Sequence, residues 1–408
     1  MKSYRLIRLL FCIVAVFIGA AASAFAACSD PGSPLGALIK TGQDDGRKIP
    51  LILIHGVHAT HAEQSVDAPG HTWDAFLDAF KAKPDLADRY AAYQFQYCSD
   101  REPVTEIAAT LRDLIDKQLG DRAHVIVTHS MGGIVATSYM AETVHLSGSW
   151  KGKKGGDTTI GVITLAAPHH GTPGANDMAT LKKFVPDRYE TFYDTLQRMY
   201  WHAGADYDGN LPPDSNRVNR SDLRWDNYDG KLDGFPKDIN TALAKRDKAF
   251  EPYASKLIAY GGQIQATSSP VAIAGLLVEA GIAGDKSISR HKALAFADVG
   301  IVTALGRKFG EADGMVPMSS AVFCKTPVES DVAKNQLCTS FVRVRRFESG
   351  GSGEVPLSQL PDANTLSILR SPLGYDHFDM LVNPDVLKYV MVDLASMTNA
   401  AKPSVIRP

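Results

Sequence analysis

Ser130 stands in Thr128-His129-Ser130-Met131-Gly132-Gly133, between the end of an apolar run and the start of a helix-like stretch. A serine held on such a bend can attack a carbonyl carbon. The sharp strand-to-helix turn lifts the hydroxyl above a sheet edge and leaves the next N–H facing the pocket. Gly132 and Gly133 supply the small residues this turn requires, whereas Thr128 replaces the glycine usual at the first motif position. The pattern alone suits equally a serine that only caps the helix.

A nucleophilic serine also needs a base, an acid to orient that base, and donors for the oxyanion. Three segments offer these in chain order. His55-Gly56-Val57 follows an apolar run, and a glycine there lets the loop fold over the pocket. The backbone N–H of Val57 can then join that of Met131, each such donor contributing roughly 3–4 kcal/mol to transition-state stabilisation. His55 itself reads as an anchor of this loop. Glu311-Ala312-Asp313-Gly314-Met315-Val316-Pro317 puts an acid in a tight turn, which makes Asp313 the candidate acid, with Asp298 and Asp331 as substitutes. Gly374-Tyr375-Asp376-His377-Phe378-Asp379 places His377, the candidate base, in a loop ahead of the last helix. Adjacent side chains generally diverge, so Asp376 is not thereby a partner of His377.

These residues need elements to hold them. The run 49–55 (IPLILIH) reads as a strand buried on both faces. Trp73, Phe76, Leu77 and Phe80 recur at helical spacing, 91–97 reads as a strand, and Val104, Ile107, Leu111 and Ile115 keep a helical period after Pro103. Then come a strand at 124–129, a helix at 131–144 and a strand at 159–167. Strands alternating with helices predict a mostly parallel central sheet flanked by helices, doubly wound by right-handed crossovers. The alternation breaks near Gly174. Residues 174–255 read as an inserted cap, 256–262 as a strand, 270–309 as a second, helical insertion, 340–347 as the last strand and 386–398 as a closing helix. The α/β core is thus expected in 27–173 and 256–408.

Residues 1–26 carry a basic start (Lys2, Arg5, Arg8), an apolar run and Ala24-Phe25-Ala26, the pattern of a cleaved secretory signal. As a helix the run at 9–24 spans roughly 24 Å, short of the ~30 Å hydrocarbon core, so the expectation is export to the periplasm or beyond without a transmembrane anchor. Of five cysteines, Cys28, Cys98, Cys324 and Cys338 survive cleavage. An even number in an exported chain suggests disulfides, with Cys324 to Cys338 and Cys28 to Cys98 as the favoured pairing among three. Lipidation of Cys28 is the competing reading. The whole chain has 43 Lys and Arg against 45 Asp and Glu, and loss of the signal leaves 40 against 45, with no basic block. Nucleic acid is therefore excluded as an expected partner.

With Thr164-Leu165-Ala166-Ala167-Pro168-His169-His170-Gly171-Thr172-Pro173 added to the serine, acid and histidine segments, the chain resembles the secreted bacterial triacylglycerol lipases and esterases of the α/β-hydrolase superfamily. The resemblance covers about 49–398 apart from the insertions. The order Ser130, Asp313, His377 matches that superfamily, and it implies an α/β-hydrolase fold, carboxylic-ester hydrolysis and no organic cofactor. It further implies that His169 and His170 shape a loop or line the pocket and are not catalytic, and it raises a structural calcium with Asp379 as one ligand. Calcium needs 6–8 oxygens, and the other donors are not evident. The expected partner is a lipid or other ester, at an interface or in solution; the oligomeric state stays open. Phe192, Leu196, Met199 and Tyr200 share a helical face in the first insertion, which suits a lid or a permanently packed cap. A polyester depolymerase or an acyltransferase could use the same residues, and a non-catalytic binding protein on the same fold is the remote alternative.

Overall fold

The central strands are apolar on both faces, and successive residues of each strand serve different cores. Ile52, Ile54, Ile126 and Val162 face one core, while Leu51, Leu53, Val125 and Ile163 face the other. This two-sided burial is what a parallel sheet between helix layers requires. The computed structural model describes residues 36–57, 71–99, 102–141, 152–172, 223, 241–264, 312–323 and 340–397. The signal segment, Cys28, Cys324, Cys338, Asp298, Asp331, the insertion at 270–309 and most of the expected cap lie outside them.

Among the described residues nine strands form one sheet: β1 (Gly36–Lys40), β2 (Ile49–Ile54), β3 (Tyr90–Tyr97), β4 (His124–His129), β5 (Thr159–Leu165), β6 (Leu257–Gly262), β7 (Arg343–Ser349), β8 (Gly353–Glu354) and β9 (Thr365–Ser371). Their spatial order is β1-β3-β2-β4-β5-β6-β7-β9-β8. Only the outermost pairs, β1 with β3 and β8 with β9, are antiparallel. Helices cover both faces. Helices α2 (Val104–Gln118), α3 (Met131–Ala141) and α4 (Thr241–Phe250) lie on one side, with α1 (Asp74–Lys81) and α5 (Pro384–Met397) on the other. This is the α/β-hydrolase fold that the resemblance implies. From β2 the chain steps outward to β3, then returns to the far side of β2 as β4. The crevice beyond the carboxyl ends of β2 and β4 is therefore a topological switch point, where ligands bind in open α/β sheets. Among the described residues no helix is long and apolar enough to cross a membrane.

Three sequence expectations need correction. The strand expected at 340–347 is Arg343–Ser349 and is not the last, since β9 pairs parallel beside it. Strand β9 (TLSILRS) mixes buried, half-buried and exposed positions near the sheet edge, so it lacks the continuous apolar run of the central strands. Strand β1 was not anticipated either. Finally, the end of the segment assigned to the cap is core: α4 packs on α3, and Phe250 is buried against Phe323 at 5.7 Å between ring centroids. The sequence of α4, TALAKRDKAF, holds only two large apolar residues, Leu243 and Phe250, so its helical period carried little signal.

A buried ionic cluster fastens α5 to the sheet. Arg345 on β7 donates to both carboxylate oxygens of Asp393 at 2.7 and 2.6 Å, and to Ser367 Oγ on β9 at 2.8 Å. The Tyr260 hydroxyl on β6 donates to the same carboxylate. Burial, then the Asp393 charge, pushes that phenol well above its ordinary range, so it remains a donor. Removing one partner would strand a buried charge. Asp393→Ala is expected to lower unfolding stability by about 3–5 kcal/mol, measured by urea denaturation.

Candidate active site

Ser130 lies between β4 and α3 with a left-handed backbone, φ 53, a conformation that costs an L-residue about 1–2 kcal/mol. Its N–H donates to the Leu165 carbonyl at 2.9 Å, and its carbonyl accepts from Gly133 N–H at 3.0 Å. Three glycines admit this turn. A Cβ on Gly56 would stand 2.5 Å from Ser130 Cβ, one on Gly132 would strike the Ile54 and His55 carbonyl oxygens, and one on Gly133 would strike Ala167. The same position of a Gly133 Cβ is 3.3 Å from Thr128 Oγ1. Thr128 therefore fits at the motif's first position because Gly133 leaves its side free. The Gly56 contact sets the β2 loop, and with it Val57, beside the serine, while Met131 opens α3.

Asp313 and His377, 64 residues apart in sequence, meet beyond β6. His377 Nδ1 donates to Asp313 Oδ2 at 2.8 Å, and His377 N–H donates to the Asp313 carbonyl at 2.9 Å. Asp313 Oδ1 accepts the N–H groups of Met315 and Val316 at 2.9 and 2.7 Å. That geometry requires the tight turn at Gly314, φ 92. Both side chains are buried. The strand-end Gly262 faces Asp313 Cβ and the Tyr375 carbonyl, where a Cβ would fall 3.2 and 3.0 Å away, so β6 ends small where the two loops converge. His129, the residue before Ser130, donates through Nε2 to the His377 carbonyl at 2.9 Å.

His55, His169 and His170 are framework. His55 Nδ1 donates to the Gly56 carbonyl at 2.7 Å, its Nε2 accepts from Tyr97 N–H at 3.3 Å, and its ring stacks on Tyr97 at 4.1 Å. His169 stacks on Phe323 at 3.7 Å and pairs with Thr164 Oγ1 at 3.0 Å. His170 lies 3.1 Å from Asp247. Burial first, then the charges of Arg246 and His170, hold the His169 pKa well below its ordinary value. Asp376 Oδ1 accepts the N–H groups of Phe378 and Asp379, and Asp379 Oδ2 accepts Asp376 N–H at 3.0 Å. The Asp379 carboxylate thus folds the histidine loop. Among the described residues no three His, Cys, Asp or Glu side chains converge as metal ligands. The calcium raised by the resemblance has no such carboxylate cluster around Asp379 among the described residues.

Sequence reasoning brought Ser130, Val57, Met131, Asp313 and His377 to the candidate list, and the fold brings Asp313 onto His377 and the β2 loop onto Ser130. It overlooked His129 and Thr172, whose hydroxyl donates to the Met315 carbonyl at 2.6 Å. His129 had a signal in its position beside the serine; Thr172 had none.

A sequence model described as the Alpha/beta hydrolase family matches residues 51–306. No curated protein sequence matches the chain. Among solved structures, the mature lipase BlEst2 of Bacillus licheniformis is similar over 90% of this chain and 99% of its own, with 15% identity and a TM-score of 0.43. A structure from a study of carboxylesterases of Nitrososphaera gargenis is similar over 89% and 95%, with 12% identity and a TM-score of 0.34. The phospholipase PlaB of Legionella pneumophila is similar over 67% and 45%, with 13% identity and a TM-score of 0.36. Likenesses this distant say nothing of substrate.

Two outcomes follow from the geometry. Gly56→Ala is expected to displace Ser130 and slow its labelling by a serine-reactive phosphonate about 10- to 100-fold, read by mass spectrometry of the modified peptide. His169 stays neutral in the folded chain, while the unfolded chain takes up a proton near pH 6.5. Below that pH the unfolded state binds more protons, so stability falls with pH until the lowered folded pKa is reached. His169→Gln is expected to flatten the decline in melting temperature between pH 7 and pH 5.

Proposed function

Because this chain belongs to the α/β hydrolase family, we propose that it is an exported serine carboxylic-ester hydrolase acting on acylglycerols or related lipid esters. The observation that carries the reading is the buried His377–Asp313 pair, hydrogen-bonded at 2.8 Å and fastened through His129 to the turn bearing Ser130. Asp313 Oδ2 accepts from Nδ1, which fixes the imidazole tautomer and leaves Nε2 to serve the serine.

In this mechanism His377 takes the Ser130 proton as the hydroxyl oxygen bonds to the ester carbonyl carbon. The carbonyl oxygen becomes an oxyanion held by the Val57 and Met131 N–H groups. Asp313 stabilises the imidazolium. Collapse breaks the bond to the alkoxy oxygen, His377 returns the proton to the departing alcohol, and Ser130 is left acylated. A water, deprotonated by His377, then releases the acid and restores the serine. No organic cofactor enters these steps.

Export rests on the basic, apolar and A-x-A pattern of residues 1–26. The Cys28–Cys98 disulfide is supported by the register of Gly36 beside Tyr97, which brings the chain after Cys28 to the strand end preceding Cys98. The lipid preference rests on family resemblance and the apolar helical face in the first insertion.

Ser130→Ala is expected to lower kcat roughly 10³- to 10⁶-fold, and Asp313→Asn on the order of 10⁴-fold, in folded protein assayed on p-nitrophenyl esters. Retention of full activity by Ser130→Ala overturns the reading. A series of graded acyl length tests the lipid preference, and activity confined to the shortest chains removes it while leaving the esterase assignment intact.

A further inference from the structure

We infer that His129 is a positioning residue that sets the distance between the serine and histidine of the proposed triad. The inference rests on the hydrolase reading above and extends it to a residue which that mechanism leaves without a role.

His377 is fixed by three polar contacts. Its N–H and Nδ1 both run to Asp313, at 2.9 and 2.8 Å. Those two bonds tie it to the turn beyond β6, not to the element carrying the nucleophile. Its carbonyl accepts from His129 Nε2 at 2.9 Å, and His129 is the last residue of β4, covalently next to Ser130. A carbonyl can only accept, so His129 Nε2 must carry the proton. The imidazole ring of His129 also packs on that of His377, with centroids 4.6 Å apart at 52°. Both residues are buried, 4% and 2% exposed, so loss of the donor would leave an unsatisfied carbonyl away from water. The Ser130 backbone is set by the sheet, through its bond to Leu165. The His377 loop is referred to that same sheet position by one side chain. Without it, His377 would keep its acid partner and lose its register against the serine.

The ring and the donor can be separated by substitution. His129→Phe keeps a ring without a donor, whereas His129→Gln places an amide N–H near the Nε2 position. We expect His129→Phe to lower kcat and the rate of Ser130 phosphonylation 10- to 100-fold with KM within about twofold, and His129→Gln to stay within about threefold of wild type in both, as loss of alignment without loss of binding requires. In protein with ¹⁵N-labelled histidine, the His377 Nδ1 proton should exchange faster in His129→Phe and be retained in His129→Gln. Tyr139→Phe, which removes a hydroxyl bonded to His124 and Thr158, serves as a control that lowers melting temperature without moving kcat. The inference is overturned if His129→Phe keeps wild-type kcat, or if Phe and Gln variants fall together. Should His129→Phe not fold, His129→Asn, whose shorter amide cannot reach the carbonyl, takes its place, and equal activity of Asn and Gln variants overturns the inference. The two readings fail separately. An active Ser130→Ala removes the hydrolase reading, while the His377 proton still reports whether His129 holds the loop.

Discussion

The left-handed backbone of Ser130 is the constraint around which the carboxyl edge of the sheet is organised. A strand that simply continued would carry the serine away from the crevice, and a helix begun one residue later would bury it. The turn is held by the sheet itself. Ser130 N–H reaches the Leu165 carbonyl on β5, Ala166 N–H reaches Tyr260 on β6, and Gln263 N–H reaches Phe347 on β7. Each strand thus extends the ladder by one amide before leaving it. Ala166 is left-handed as well, φ 51, so two neighbouring strands end in the same conformation. Strain of this kind persists where surroundings over-determine it, and here the neighbouring strand supplies the restraint.

The acid is restrained by a different means. Asp313 is fully buried, and an ionised carboxylate in such a place is tolerable only when its oxygens are satisfied. Two backbone N–H groups occupy Oδ1 and the imidazole occupies Oδ2. The Asp-Gly sequence is what permits this, since the left-handed Gly314 curls the following amides back onto the side chain. The carboxylate is thereby aimed at His377, which is the preorganisation that the proposed mechanism calls for as charge develops.

Much of this was legible in the sequence, and the legible parts share a property. Strands β2 to β6 are buried on both faces, so their runs are mostly apolar, and the turns after β2 and β4 carry glycines that close contact demands. Asp313 was readable from Asp-Gly and chain order together, though neither alone would have singled it out. What escaped notice lies where the physics is tertiary. Strand β9 sits next to the edge with a mixed face, α4 holds only two large apolar residues, and Thr172 reaches Met315 across 143 residues of chain. No local period marks such a contact. His129 was visible as a residue and invisible as a function, because its partner is a main-chain carbonyl 248 residues away.

The loops of the crevice are braced against one another as well as against the sheet. Gly56 places the β2 loop on Ser130, Gly133 seats the β4 turn on Ala167, and Thr172 ties the loop after β5 to the carbonyl of Met315 in the acid's turn. Ser320 adds a second tie, accepting His170 N–H at 3.0 Å and donating to the Gly171 carbonyl at 2.7 Å. His129 and Asp313 then hold the histidine loop from opposite sides. The contacts form a ring, so no single loop fixes the site and none can shift without moving a neighbour. This explains why the two histidines of Pro168-His169-His170-Gly171 are buried and paired with protein groups: they stiffen the frame. In the proposed mechanism the bond-making groups sit on mutually braced strand ends, as a precise constellation requires.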